Sequence, residues 1–325
     1  MATIKDIAIK AGVSVTSVSR VLNRRGYLSE ELINKVHQAM EELHYQPNEV
    51  ARSLQKKESR IIGLILPDVS HPFFGELTRA IESYAFSRNY KLLLCNSQLD
   101  PLKEKDYLSM LKASQVDGII MGSHTIDTEE YLHIAQPLVT IDRRISSRIP
   151  YVSSDNFEGG VLAAEKLIKK GCKQIAYIGG NVELDLLAKK RYEGFKKEID
   201  HSKCKLHFFQ TNINGFNYEE YEELAAGIFR ECPEIDGIFA SSDIIAAAIL
   251  KEARRLNRGV PQDVKVIGYD NVQLSRIISP PLTTIGQPIK EIGEKAVDLI
   301  ISQIRKERVT VETVLPVQLI ERETT

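Results

Sequence analysis

Apolar positions near the start of the chain recur at helical spacing. In Thr3 to Leu22, TIKDIAIKAGVSVTSVSRVL, the residues Ile4, Ile7, Ala8 and Ala11 fall on one face of a helix. Thr3 stands where an N-cap belongs and Asp6 follows three residues later, the capping-box arrangement. Gly12 supplies a helix stop. Ser14 can cap a second helix whose Val18, Val21 and Leu22 face the first, with Thr16 and Arg20 on the opposite side and Val15 and Ser17 flanking them. Two short helices about a sharp turn, the outer face of the second free to enter a major groove, make helix-turn-helix geometry. Amphipathic helix pairs around a glycine occur in many helical proteins, so the pattern alone leaves that reading open. After the polar turn NRRGYLS, Ser29 caps a third predicted helix with Glu30 and Glu31 in its first turn, where the helix dipole favours acids. Its buried face is Ile33, Val36, Met40 and Leu43, and it ends ahead of Pro47.

The next stretch, NEVARSLQ from Asn48 to Gln55, predicts a helix of about two turns, too short to be stable alone in water. Leu54 is apolar in polar surroundings: it either packs on the following domain or wedges into a minor groove. KKESR reads as a solvated linker. From Arg60 the period changes. Short apolar runs predict strands at Ile61–Leu66, Tyr90–Cys95, Gly118–Gly122, Leu138–Ile141 and Val152–Asp155, then at Gln174–Ile178, Leu206–Phe209, Gly237–Ala240 and Val264–Tyr269. Helical patterns lie between them, near 73–88, 158–170, 189–200, 218–230 and 243–257. A last helix follows Pro288 to about Glu307, and LPVQLIER reads as a final strand. Alternating buried strands and amphipathic helices predict an α/β fold with parallel sheets covered on both faces. The length beyond residue 60 predicts two such lobes.

Composition narrows the class. The 325 residues are 43% hydrophobic, which suits a folded chain of two or three domains. No apolar run approaches the length of a bilayer span, and MATIKDIAIK lacks the apolar core of a signal peptide, which predicts a soluble cytoplasmic protein. Cys95, Cys172, Cys204 and Cys232 lie far apart with no CxxC pair, so they read as reduced thiols and not as metal ligands. Charge is uneven. Met1 to Ser29 holds Lys5, Lys10, Arg20, Arg24 and Arg25 against Asp6 alone, a local +4 in a chain of net −1. Basic character is thus concentrated where phosphates would be met.

Ligands of open α/β sheets bind outside the carboxyl ends of the strands, and polar residues cluster there. Asp142 and Arg143 follow the fourth strand, Asp155 and Asn156 the fifth, Asp243 follows GIFASS, and Asp270 and Asn271 follow VKVIGY. Arg191 opens a helix after the Gly179-Gly180 turn, and Phe73, Phe74 and Phe216 are the nearby rings. Carboxylates and an arginine can each take several sugar hydroxyls while rings cover the apolar face. Each Asp alone also fits a helix cap or turn; their recurrence at successive strand ends carries the joint reading. No GxGxxG, GxxxxGK[ST], HExxH or GxSxG is present, and the seven histidines have no ligand spacing, so an enzyme has little support.

The assembled stretches resemble the lactose/galactose-repressor family of bacterial regulators over essentially the whole chain. The residues that carry the likeness are TIKDIAIKAGVS, VSRVLN, YQPNEVARSL, IGLILPDVSHPFF, VDGII, SSDNFEGG, RYEGF, ASSD and VIGYDN. RRGYLSEELINKV and VSSDNFEGGVLAAEKL look most like the sucrose-operon repressors of Gram-positive bacteria. The resemblance implies an all-α headpiece over 1–46, a hinge helix and linker over 47–59, and a two-lobed core like periplasmic binding proteins over 60–325. One lobe would comprise about 60–156 and 288–315, the other about 157–287 and 316–325. It further implies a homodimer on a palindromic operator, with Val15, Thr16 and Arg20 at base edges and Ser17, Asn23, Tyr45, Asn48 and Arg52 at phosphates. Leu54 would enter the minor groove, and Ala51 would let two hinge helices approach. Arg191 and Asp270 would bind a small sugar or sugar phosphate, with Phe73, Phe74, Asp142, Asp155 and Asp243 around it and no other cofactor. His71 stands where the motif usually has Asn.

These observations predict a DNA-binding repressor of a sugar operon, sucrose-type, whose operator grip depends on a sugar between the lobes. The alternatives are a sugar-binding module akin to periplasmic receptors, a sugar-processing enzyme, and a regulator whose DNA binding is strengthened by a co-repressor or a phosphoprotein partner.

Overall fold

A computed structural model describes residues 2–23, 25–46, 58–123, 125, 128–180, 186–211 and 217–325. The predicted hinge helix, with Asn48, Ala51, Arg52 and Leu54, lies outside the described residues, as do Arg24 and Phe216. The chain divides into two compact units, Met1–Ser59 and Arg60–Thr325.

The first unit is three helices, α1 (Ile4–Ala11), α2 (Val15–Asn23) and α3 (Glu30–Glu42). The capping box closes as the sequence predicts: Thr3 N–H donates to Asp6 Oδ2 at 2.7 Å and Asp6 N–H to Thr3 Oγ1 at 3.4 Å. Gly12 ends α1 at φ 66°, in the left-handed region where a side chain would be strained. Ser14 Oγ accepts from Ser17 N–H at 3.0 Å and Ser29 Oγ from Leu32 N–H at 3.3 Å, capping α2 and α3. Ile7, Ala8, Val18, Val21, Val36 and Ala39 form the core, with Ile33, Met40 and Leu43 at its edge.

The second unit carries two six-stranded sheets. The first is ordered β11-β5-β4-β3-β1-β2, with β1 Ile61–Leu66, β2 Lys91–Asn96, β3 Gly118–Met121, β4 Leu138–Ile141, β5 Tyr151–Ser154 and β11 Glu312–Leu315. The second is ordered β12-β10-β9-β8-β6-β7, with β6 Gln174–Gly179, β7 Lys205–Gln210, β8 Gly237–Ala240, β9 Lys265–Asp270, β10 Thr283–Gly286 and β12 Gln318–Ile320. Every pairing is parallel except that of β12 with β10. The first sheet has apolar cores on both faces, around Leu64 and Ile120 on one side and Ile65 and Ile119 on the other. The second does likewise, around Ile178 and Ile238, and around Tyr177 and Phe239.

The helices are α4 (Pro72–Ser87), α5 (Pro101–Ala113), α6 (Thr128–Leu132), α7 (Asn156–Lys169), α8 (Lys189–Asp200), α9 (Tyr218–Glu231), α10 (Asp243–Arg255), α11 (Leu274–Ile277) and α12 (Ile289–Ile304). The chain passes between the lobes three times: from β5 into α7, from β10 into α12, and from β11 into β12. The segment read as one final strand is therefore two. Pro316 has no N–H for a ladder, so pairing stops at Leu315 and resumes at Gln318 in the other sheet. β10 has no counterpart among the predicted strands, because TTIG lacks the apolar run of the others.

Candidate functional site

In the headpiece, Thr16 and Arg20 are exposed and Val15 is 41% exposed, so the outer face of α2 is open as the helical spacing predicts. Arg20 Nε donates to the Arg25 carbonyl at 3.4 Å, which turns the guanidinium toward the loop after α2. Ser17 is half-buried, and its hydroxyl shares a hydrogen bond with Ser14 Oγ at 2.9 Å. Asn23 Nδ2 donates to the Ser19 carbonyl at 2.9 Å, and Tyr45 packs on the headpiece core. Tyr27, in the turn after α2 read simply as polar, is 92% exposed. An aromatic residue amid RRGYLS was the signal for it.

In the core unit the polar groups converge where the strands end. Two of the predicted aspartates hold unusual backbone conformations: Asp142, just after β4, at φ 55°, and Asp270, the last residue of β9, at φ 112°, followed by Asn271 at φ 57°. Positive φ at non-glycine residues costs about 1–3 kcal/mol each and persists only where surrounding contacts enforce it. Those contacts are present. Asp142 Oδ1 accepts from Ser153 Oγ at 2.7 Å and from Asn156 Nδ2 at 3.4 Å. Asp270 Oδ1 accepts from Gln287 Nε2 at 2.6 Å, and Gln287 Oε1 accepts from Ser154 Oγ at 2.7 Å, joining the ends of β5, β9 and β10.

Arg191 ties this network together. It is buried in the first turn of α8, with Nε donating to Asn156 Oδ1 at 2.5 Å and Nη1 to the Ser241 carbonyl at 2.9 Å. Its guanidinium carbon stands 3.7 Å from the centre of the Tyr269 ring, close enough for a desolvated cation–π contact. Glycines make this approach possible. A Cβ on Gly160 of α7 would lie 2.0 Å from the Arg191 carbonyl oxygen, and one on Gly194 of α8 would lie 2.1 Å from that of Phe157. The EGG and YEGF stretches are thus the contact that sets Arg191 over Asn156.

Burial governs the charges. It pushes the Asp270 carboxyl up to about 7, against the pull of Arg191 and the Gln287 hydrogen bond. Burial also works against the charge of Arg191, but Tyr269, Asp270 and Asp142 outweigh it and its pKa rises. His71, at the N-cap of α4, is lowered to about 4 by burial, so its imidazole is neutral at pH 7. Its ring meets Phe74 edge-on at 5.7 Å.

Three predicted effector residues have other work. Asp243 is fully buried: Oδ2 accepts from Val272 N–H at 2.9 Å and Oδ1 from Thr284 Oγ1 at 2.5 Å, so it supports the Asp270 turn from behind. Phe73 is turned into the apolar core of the first lobe, and Phe74, its neighbour, is only half-buried. Asp155 caps α7, accepting from Glu158 N–H at 3.0 Å. Asn156 was noted in the polar cluster but not assigned a role, and Ser154, Tyr269 and Gln287 were not singled out. Gln287 follows the unpredicted β10 and carries no charge to draw notice. The assembled cluster offers carboxylate and amide acceptors and a guanidinium donor, groups that can grip a polyhydroxylated ring. Among the described residues no group of His, Cys, Asp and Glu is arranged to hold a metal ion.

Residues 3–48 match the domain of bacterial regulatory proteins of the lacI family, and residues 164–325 match a periplasmic binding protein-like domain. The chain is 41% identical to the ribose operon repressor of Halalkalibacterium halodurans, over 100% of this chain and 97% of that one. It is also 41% identical to the sucrose operon repressor of Streptococcus mutans, over 99% of each. Among solved structures, a LacI-type regulator from Alkaliphilus metalliredigens complexed with D-xylulofuranose is 35% identical, with a TM-score of 0.76 over 82% of this chain and 99% of that one. The lac repressor dimer bound to operator and an anti-inducer is 25% identical, with a TM-score of 0.87 over 99% and 98%. The chain therefore belongs to the lacI family of bacterial regulatory proteins, as a transcriptional repressor and not an enzyme.

Proposed function

We propose that this repressor holds a palindromic operator as a homodimer and is controlled by a neutral, furanose-bearing sugar bound among Asp142, Asn156, Arg191, Asp270 and Gln287. The observation that carries the reading is the buried Arg191, fixed by Asn156 and Ser241 and facing two carboxylates. That charge balance disfavours a phosphate, which would meet Asp142 and Asp270 as well as the single guanidinium. A neutral sugar meets acceptors for its hydroxyls. Relatives named for ribose and for sucrose stand at the same identity, and a neighbour holds xylulofuranose. A five-membered sugar ring is common to xylulofuranose and the fructosyl half of sucrose, and it is open to ribose.

On the DNA side, Val15, Thr16 and Arg20 read bases, while Ser17, Asn23, Tyr45, Asn48 and Arg52 fix register. Leu54 enters the minor groove, where Ala51 allows the paired segments to approach. The sugar acts by favouring a lobe arrangement that binds operator less well.

Calorimetric titration with ribose, fructose, sucrose and their phosphates tests the reading, with gel-shift on a palindromic fragment as the functional readout. Neutral sugars are expected to bind and to weaken the shift. Binding of phosphates alone, or a shift strengthened by the bound sugar, would overturn it.

A further inference from the structure

The turn that follows β9 is pinned at four successive residues by four different groups. Asp270 is held by Gln287, as described above. Asn271 Oδ1 accepts from Arg322 Nη2 at 2.6 Å, and that arginine, in the C-terminal segment, also donates from Nη1 to the Leu282 carbonyl at 2.6 Å. Val272 N–H is held by Asp243. Gln273 N–H donates to Glu76 Oε1 at 2.7 Å. Arg322 and Asp243 belong to the same lobe as the turn. Glu76 does not: it lies on α4, which packs on the first sheet and on α12. Val272 and Leu274 follow it across and sit in the apolar core of that first lobe.

From this arrangement we infer that Glu76 is a positioning residue that ties the effector-site turn to the opposite lobe and so sets the angle between the lobes. The turn is clamped to its own lobe at Asn271 and Val272, so it moves with that lobe as one piece and carries Gln273 with it. The displacement is delivered to α4 through one backbone hydrogen bond. Glu76 also stands close enough to Asp270 for its charge to oppose ionisation there. This role rests on the cleft being the effector site; the hydrogen bond from Gln273 N–H to Glu76 is an observation separate from that reading.

Hydrogen exchange of the full-length protein, free of DNA and sugar, tests the inference on wild type, Glu76→Gln, Glu76→Ala and Glu76→Asp. The alanine and the shorter aspartate cannot reach Gln273 N–H, whereas the glutamine keeps an acceptor oxygen at the same reach. The Ala and Asp variants are expected to exchange about tenfold faster both at residues 271–275 and at the lobe crossovers 155–158 and 286–289. The Gln variant stays close to wild type. Acceleration confined to 271–275, no acceleration, or a Gln variant as fast as Ala would each overturn the inference. The aspartate keeps the charge, so it remains informative if Ala fails to fold. Because no sugar is used, failure of every sugar to bind would defeat the effector reading and leave this result standing.

Discussion

Asp270 and His71 titrate in opposite senses within one cleft, and the difference is measurable. Burial holds the Asp270 carboxyl at about 7 in the folded chain against 3.8 when unfolded. Between those values the native state keeps a proton that the unfolded chain has released, so this group makes stability fall as pH rises from about 4 to about 7. His71 does the reverse. Its imidazole is lowered from 6.5 to about 4, so the unfolded chain binds the extra proton and stability rises with pH across that window. The two slopes oppose one another in the wild-type protein. Asp270→Asn removes the first and uncovers the second: chemical denaturation between pH 4.5 and 6.5 is expected to show the variant gaining stability with pH more steeply than wild type. Parallel curves would place the Asp270 carboxyl in its ordinary range. Residue identity was legible in the sequence to this depth and no further. Asp270 was expected in the polar cluster from its place after VKVIGY, and Arg191 from its place at the start of a helix beyond the Gly179-Gly180 turn. Asp243 could not be told from Asp270, because a carboxylate that holds a backbone N–H behind the cluster and one that lies within it have the same letter at the same kind of position. Phe73 and Phe74 are one residue apart on a helix, and only packing decides which ring enters the core.

The elements differ in how openly they announced themselves. IIGLIL is apolar on both faces and is a central strand, as a buried parallel strand must be. TTIG is just as buried, but its two threonines are satisfied by partners from distant sequence. Thr284 donates to Asp243, and Thr283 N–H donates to Thr324 Oγ1 at 2.8 Å. No local window contains those partners. The α7–α8 contact was legible only as the motifs EGG and YEGF, without its reason. A helical glycine costs about 0.5–1 kcal/mol, which is tolerated here because it lets the two backbones touch. Gly160→Ala would set a Cβ 2.0 Å from the Arg191 carbonyl, a backbone atom that cannot swing aside. The helices must separate, at a cost of about 1–3 kcal/mol, and Arg191 must leave Asn156. Calorimetry is expected to show sugar binding lost or weakened at least tenfold, while gel-shift without sugar stays near wild type. In the headpiece, Thr3→Ala removes half of the capping box and should cost α1 about 1 kcal/mol. Circular dichroism melting of the whole chain is expected to show an earlier headpiece transition and an unmoved core transition. A shift of both together would mean that the units Met1–Ser59 and Arg60–Thr325 do not unfold independently.

At the scale of the whole molecule, the sequence separates two kinds of interaction. The first 29 residues hold the local +4, in a chain of net −1, so basic character is concentrated at one end. The polar cluster proposed to bind sugar belongs wholly to residues beyond Arg60. Binding at one end can influence the other only through a difference in free energy between lobe arrangements, and linkage makes that influence symmetric. If a saturating sugar weakens operator binding by a given factor, saturating operator must weaken sugar binding by the same factor. A coupling of about 2 kcal/mol gives about thirtyfold in each direction. The expected measurement is a pair of calorimetric titrations, sugar into free protein and sugar into the operator complex, set beside operator affinities with and without sugar. The operator arm falls steeply with salt, because each neutralised phosphate releases counterions. The sugar arm does not, because its ligand is neutral. The ratio between free and complexed protein must nevertheless agree between the two arms at every salt concentration. Agreement follows by linkage as long as the same dimer stands at all four corners of the cycle. Unequal ratios would show that a further equilibrium, such as dissociation of the dimer, takes part in one of the two arms and must be added to the scheme.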